Sequence, residues 1–284
     1  MIPMHPLPSL SGAGLCCCTP PEACLLWAAL ALLVLAVFGP ALPASAHQHG
    51  FADARTLWGL PCALDVLSNL PFALAGAWGL ALLWRLRGGA LDASTRAMAT
   101  LFCVGLLCTA AGFVGYHVRP DNAGLLWDRL GMAVAFVGLL GLAAASRVSG
   151  LAGWAVAVTV LAAGPLAVAV WAGTGNLLPW AVVQLGGMAV VLALACLPRR
   201  AGALALKLSA VIAWYAVAKL CEAADHAVFA ATGQWVSGHS LKHMSAAGAA
   251  LPVLAALHAT VTAPVQNGAP CRPCEADMVH GKGA

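Results

Sequence analysis

Long apolar runs, broken by short groups of Pro, Gly and Arg, recur along almost the whole chain. Runs of about 20 such residues match the hydrocarbon thickness of a bilayer crossed by a helix. They predict an all-α membrane protein, a bundle of seven transmembrane helices. The predicted spans are 62–84, 97–117, 124–146, 150–172, 177–197, 206–230 and 239–262. An eighth apolar run, Leu25 to Leu42, precedes them and ends in "ASAHQ", with an A-x-A pattern at Ala44–Ala46. That pattern is typical of signal-peptide cleavage. A secretory signal also carries positive charge before its apolar run, whereas the first basic residue here is Arg55. The run reads as either a cleaved signal or a retained eighth helix. The chain divides into residues 1–52 (signal-like or extra helix), 53–262 (seven-helix domain) and 263–284 (tail).

Composition sharpens this. The chain has 284 residues, 62% of them hydrophobic and only 8% charged, with mean hydropathy +0.89. These values exclude a soluble globular domain. The net charge of +4 falls in short loops, which fits membrane topology and not nucleic-acid binding. Arg85, Arg87 and Arg96 follow the first predicted core helix, Arg147 the third, and Arg199, Arg200 and Lys207 the fifth. The tail holds Arg272 and Lys282. These alternate gaps share one face, and the positive-inside rule makes it cytoplasmic. The core then begins outside and ends inside. Of the eleven cysteines, those in spans read as small apolar packers. The CxxC at Cys271 and Cys274 reads as part of a plain tail.

On this topology the costly residues gather at the outer end. They are His117 in "YHVRPDNAGLLWDRLGM" with Asp128 behind it, His239 and His243 in "SGHSLKHMSAA", Asp65 and Ser68, and Glu222, Asp225 and His226. Ionisable groups are expensive in a bilayer and collect around shared polar sites. His239 and His243 are i and i+4, hence on one helix face. A third imidazole from His117 completes a His₃ set, which for zinc leaves a fourth position for water. Such a water loses its proton near neutral pH. Asp128 can accept a proton from it or orient a histidine. Each residue alone has a plainer reading. An HxxxH pair often binds nothing, Asp128 with Arg129 reads as an interfacial ion pair, and Arg119 with Asp121 as a solvated loop pair. Three histidines and an aspartate at one depth favour the metal site.

The order H-x₁₀-D with "WDRLGM", followed far downstream by H-x₃-H, resembles the alkaline ceramidases. The wider grouping also takes in adiponectin/progestin-type receptors and haemolysin-III-like proteins. The stretch "DVLSNLPFALAGAWGL" resembles the first helix of ceramidase-like proteins, and the likeness covers roughly 53–262. The resemblance implies one intramembrane zinc on His117, His239 and His243, with Asp128 assisting the metal-bound water. It implies hydrolysis of a ceramide-like lipid amide. Small membrane proteins of this type occur in bacteria, so the expected location is an inner membrane, with the site toward the outer leaflet and the C-terminus cytoplasmic.

Two features depart from the family. The serine expected four residues before the first zinc histidine is Phe113, and Ser68 or Tyr116 is left to supply the hydroxyl. At the family's calcium site Asp53 and Asp65 are present, but Cys62 stands where a glutamate is expected, which puts Ca2+ in doubt. The competing function is a non-catalytic zinc-containing receptor or sensor, favoured by Phe113. A transporter ranks last, because neither inverted repeats nor broken midplane helices are visible.

Overall fold

The computed structural model describes residues 18–45, 48–86 and 88–263. Ala46, Arg87, Cys271, Cys274 and the tail basic residues lie outside them. Among the described residues there is no strand, and the fold is an all-α bundle. The helices are α1 (Pro20–Phe38), α2 (Ala63–Leu67), α3 (Leu70–Arg85), α4 (Ala93–Val118), α5 (Asn122–Arg147) and α6 (Gly150–Thr174). They continue as α7 (Leu178–Ala181), a π-helical turn Val182–Gly186, α8 (Gly187–Ala195), α9 (Leu208–Ala223), α10 (Asp225–Ala231), α11 (Gly238–Gly248) and α12 (Leu251–Thr262).

Seven segments of the described residues are long and apolar enough to cross a membrane, so this is a multi-pass membrane protein by its chemistry. Six correspond to predicted core spans, and the seventh is α1, from the apolar run before the core. The predicted span 206–230 is not one helix. It breaks at Ala224 into α9 and α10, and α9, with 16 residues, is about 24 Å long. Two other spans bend near proline. The first divides at Ser68–Asn69, ahead of Pro71, and the last between Gly248 and Leu251, ahead of Pro252. Proline removes a backbone donor and crowds the preceding turn.

Helix ends are set by side-chain caps. Asp92, Asp121 and Ser149 each accept a backbone N–H at the start of α4, α5 and α6. Such caps satisfy amides that the first turn leaves unpaired. Asp121 also pairs with exposed Arg119 at 2.8 Å. The α1 helix buries no residue and lies at the edge, with Leu32 against Gly186 and Gly39 against Leu178. Exposed Leu and Val side chains elsewhere, such as Leu74, Leu161 and Leu166, suit a lipid surroundings, where an outward apolar residue has no cost.

The tightest pairing is α4 against α5. Small residues let backbones approach closely in membranes, where packing rather than water release joins helices. A Cβ on Gly138 would lie 2.1 Å from the Phe102 backbone nitrogen. This approach fixes the register of the helix that carries His117 against the one that carries Asp128. Gly138→Ala should therefore lower stability by about 1–3 kcal/mol, the usual cost of overpacking, and lower the thermal midpoint in detergent. Gly173, with nothing within 4 Å of a built Cβ, is the control. If Gly173→Ala costs as much, the α4–α5 contact is not what the substitution disturbs.

Candidate metal centre

His117 ends α4, while His239 and His243 open α11. The three imidazoles meet. His117 Nε2 lies 3.3 Å from His243 Nε2 and 3.3 Å from His239 Nε2. The set offers one ligand atom each, all within 4.8 Å of one another. His117 and His243 are fully enclosed, at 0% and 1% exposure.

These nitrogens fit a metal better than they fit one another. A proton on His117 Nε2 can point at only one of its two neighbours. A tetrahedral ion with metal–nitrogen bonds of about 2.0–2.1 Å spaces its ligands by about 3.3 Å, the separation seen twice here. A group that could hold a divalent ion at His117, His239 and His243 is thus present, and the donor set alone leaves the metal's identity open.

The surroundings aim the rings. Ser68 Oγ donates its proton to the Asp65 carbonyl at 2.8 Å and lies 2.9 Å from His243 Nδ1. Its single proton is spent, so His243 Nδ1–H donates to Ser68 and leaves Nε2 a free lone pair facing the cluster. Ser68 therefore stands behind a ligand, away from the open side of the site. The Tyr116 hydroxyl is also committed, donating to the Gln48 carbonyl at 3.0 Å.

Carboxylates tie the elements together. Asp65 Oδ1 accepts from Ser240 Oγ at 2.6 Å and Ser237 Oγ at 3.2 Å, which pins the start of α11 to α2. Asp225 Oδ1 accepts the His239 backbone N–H at 2.8 Å, and its Oδ2 accepts that of Ala52 at 3.0 Å. The break at Ala224 lets α11 come this close, since a Cβ on Gly238 would lie 2.3 Å from the Cys221 carbonyl. His226, on the same predicted face as Glu222 and Asp225, points out with a 75% exposed side chain. Asp53 is bound by Arg55, Nε to Oδ1 and Nη2 to Oδ2, both at 2.7 Å. Of the acidic residues weighed for calcium, Asp53 and Asp65 thus have these other partners, and Cys62 is the N-cap of α2.

The open side is a cavity of about 1000 Å³, lined at its polar part by His239, His243, Asp128, Arg129, Lys242 and Glu222. Asp128 is 5% exposed, and its Oδ1 has no hydrogen-bond partner. It is not one of the converging ligand atoms. Lys242 Nζ lies 3.2 Å from His239 Nε2, donates to Glu222 Oε1 at 3.3 Å, and stands 5.9 Å from the Phe113 ring centroid. Lys219 also pairs with Glu222. The motifs read from the sequence do not bring Lys242 to the histidines. Its place at i+3 from His239, on the same helix face, is the signal that was there to use. Arg129, read as interfacial, is instead 7% exposed, with its guanidinium carbon 3.8 Å from the Trp171 ring centroid.

Phe51 closes the site, its ring centroid 4.6 Å from those of His117 and His239. Comparison of the chain with family models, characterised proteins and solved structures returned no match.

Two measurements check this arrangement. Purified protein should bind about one divalent ion. His243→Ala should abolish that binding, and Ser68→Ala should weaken it about 10–100-fold, the usual effect of losing the partner that orients a ligand. Equal metal content in wild type and His243→Ala would remove the site. The Phe51 segment gives a pH dependence. The Arg55 guanidinium beside Asp53 holds its carboxyl below the ordinary value of 3.8. The Asp53–Arg55 pair, which orders this segment locally, is therefore complete above that value and is lost as pH falls through the lower folded one. Hydrogen exchange of residues 48–55 should stay slow down to about pH 4 in the wild type and be faster at neutral pH in Asp53→Asn.

Proposed function

We propose that this chain is a zinc-dependent intramembrane hydrolase that cleaves an amide bond of a ceramide-like membrane lipid. The observation that carries this reading is the meeting of three imidazole nitrogens at the wall of a large, partly apolar cavity that also holds a buried carboxylate without a partner. Imidazole donors suit zinc, as they do copper, iron and nickel, and the resemblance to the alkaline ceramidases singles out zinc. The residue order that resembles the alkaline ceramidases supports an amide as the bond attacked.

His117, His239 and His243 would hold the metal. When bound, such an ion acidifies a coordinated water and polarises a carbonyl oxygen. Asp128 takes a proton at Oδ1 as the bond to the carbonyl carbon forms, and returns it to the nitrogen as the C–N bond breaks. Lys242 Nζ donates toward the oxygen on which charge grows, the task given to a serine hydroxyl at the position of Phe113 in the family this chain resembles. Glu222 holds that ammonium in place. The apolar wall, which includes Phe136, Leu139 and Met188, receives the aliphatic chain and keeps water out. With the basic loops cytoplasmic, the site would face the outer leaflet.

The second reading is a receptor or sensor in which the metal only joins α4 to α11. It is favoured by Phe113, which stacks on His243 with ring centroids 4.9 Å apart where a hydroxyl would otherwise stand. Fatty-acid release from long-chain amides in mixed micelles tells the two apart. Asp128→Asn should keep its zinc and lose activity by at least about a hundredfold. Lys242→Met should lower kcat by about 10²–10³-fold. Wild type loaded with zinc and inert toward every amide lipid tried would leave the sensor reading.

A further inference from the structure

Among the cations lining the cavity, Lys219 and Lys242 are paired with Glu222, and Arg129 has no ion pair. Its side chain sits about two turns inside α5, is 7% exposed and rests on the face of Trp171. Its Nη1 is buried with no hydrogen-bond partner, and no described carboxylate lies within ion-pair distance of it. Asp128 is its chain neighbour, but adjacent helix residues do not face each other, and Asp128 Oδ1 is equally unpartnered. A guanidinium offers five donors and stays charged. An unpaired guanidinium in a low-dielectric interior is costly, and within a membrane such a residue ordinarily marks a ligand path.

The cavity supplies a second idle donor. Gln184 lies in the π-helical turn Val182–Gly186, a distortion that often occurs at functional sites. Its amide nitrogen finds only the Met132 sulfur, at 3.9 Å. Both Arg129 and Gln184 line the same cavity as His239, His243 and Lys242.

We propose that Arg129, assisted by Gln184, binds an oxyanion carried by the substrate, so that the cavity takes an amide-linked amphiphile with an anionic head. The planar fork of a guanidinium matches a carboxylate or phosphate with two parallel hydrogen bonds. Arg129 and Asp128 line the same cavity, so a bound anion and the bond at which Asp128 would act share one space. The amide part of this statement rests on the hydrolase reading; the anion part does not.

The test is equilibrium binding to the purified full chain in an uncharged maltoside detergent. The probes are N-dodecanoylglycine, its uncharged methyl ester, dodecyl phosphate and N-acetylglycine. The wild type should bind N-dodecanoylglycine at least about tenfold more tightly than the ester, the scale of a charge-assisted contact. Arg129→Gln should erase that preference, and Arg129→Lys should keep part of it. Tighter binding of dodecyl phosphate than of the carboxylate still supports an oxyanion site and makes phosphate the preferred head. Equal wild-type affinity for the acid and the ester overturns the proposal without any variant. A preference left intact in Arg129→Gln, or N-acetylglycine binding as tightly as its dodecanoyl counterpart, overturns it as well. Anion preference without hydrolysis of any probe would sink the hydrolase reading alone. Hydrolysis of neutral amides without anion preference would sink this proposal alone.

Discussion

Everything near the site follows from the cost of burying imidazole nitrogens away from water. A ring nitrogen without a partner there is costly, as His117 Nδ1 is, and lipid supplies none. His243 meets the demand at Nδ1 with Ser68, whose own proton goes to the Asp65 carbonyl. The remaining Nε2 atoms then face one another at 3.3 Å, a geometry that a central cation relieves and a single shared proton does not. Asp65 and Asp225 serve the same arrangement from outside, since they bind the first turn of α11 and so fix where His239 and His243 can be. Without those two carboxylates the i, i+4 pair would still share a face, but not a position opposite His117.

The approach of α4 to α5 is the second condition. It brings His117 and Asp128 to the same end of the bundle, and it depends on glycines that would be unremarkable in a soluble helix. The α9–α10 break is the third. A continuous helix over 206–230 would carry Asp225 past the start of α11. Ending it at Ala224 lets the Asp225 carboxylate accept two backbone amides, one from α11 and one from the Phe51 segment. The fold is therefore least regular at the elements that touch the site, α2, α10 and the π-helical turn.

This explains what could be read from the sequence. Hydrophobic run length located the helices, because bilayer thickness imposes it on each span separately. The convergence of His117, His239 and His243 was legible from alternation alone, since odd and even helix ends fall on opposite faces. Side-chain direction was not. Ser68 sits at the right depth, but its hydroxyl faces away from the open side. Arg129 sits at an interfacial position in the sequence and yet turns inward onto Trp171. Lys242 reads as an ordinary basic residue at a helix start, and only packing against Glu222 turns it toward the imidazoles. The break at Ala224 carries neither proline nor glycine, so no local signal marks it; contacts with α11 select it.

Charge in the cavity ties these points together. Glu222 is shared between Lys219 and Lys242, so one carboxylate answers two ammonium groups. Asp225 spends its oxygens on backbone amides, and Arg129 has no ion pair. Three cations and three carboxylates, Glu222, Asp225 and Asp128, thus border the cavity, and of those carboxylates only Glu222 lies within ion-pair distance of one of the cations. A divalent ion on the histidines would tip that balance to positive. Such a site is poorly matched to a neutral resting state and well matched to negative charge arriving from outside, whether as an anionic head or as charge developing on an attacked carbonyl. Preorganised positive charge of this kind stabilises a transition state more than a ground state, because no solvent has to reorient when the charge appears. On the proposed hydrolase reading, the positive charge of the loaded site would both select the ligand and lower the barrier to cleaving it.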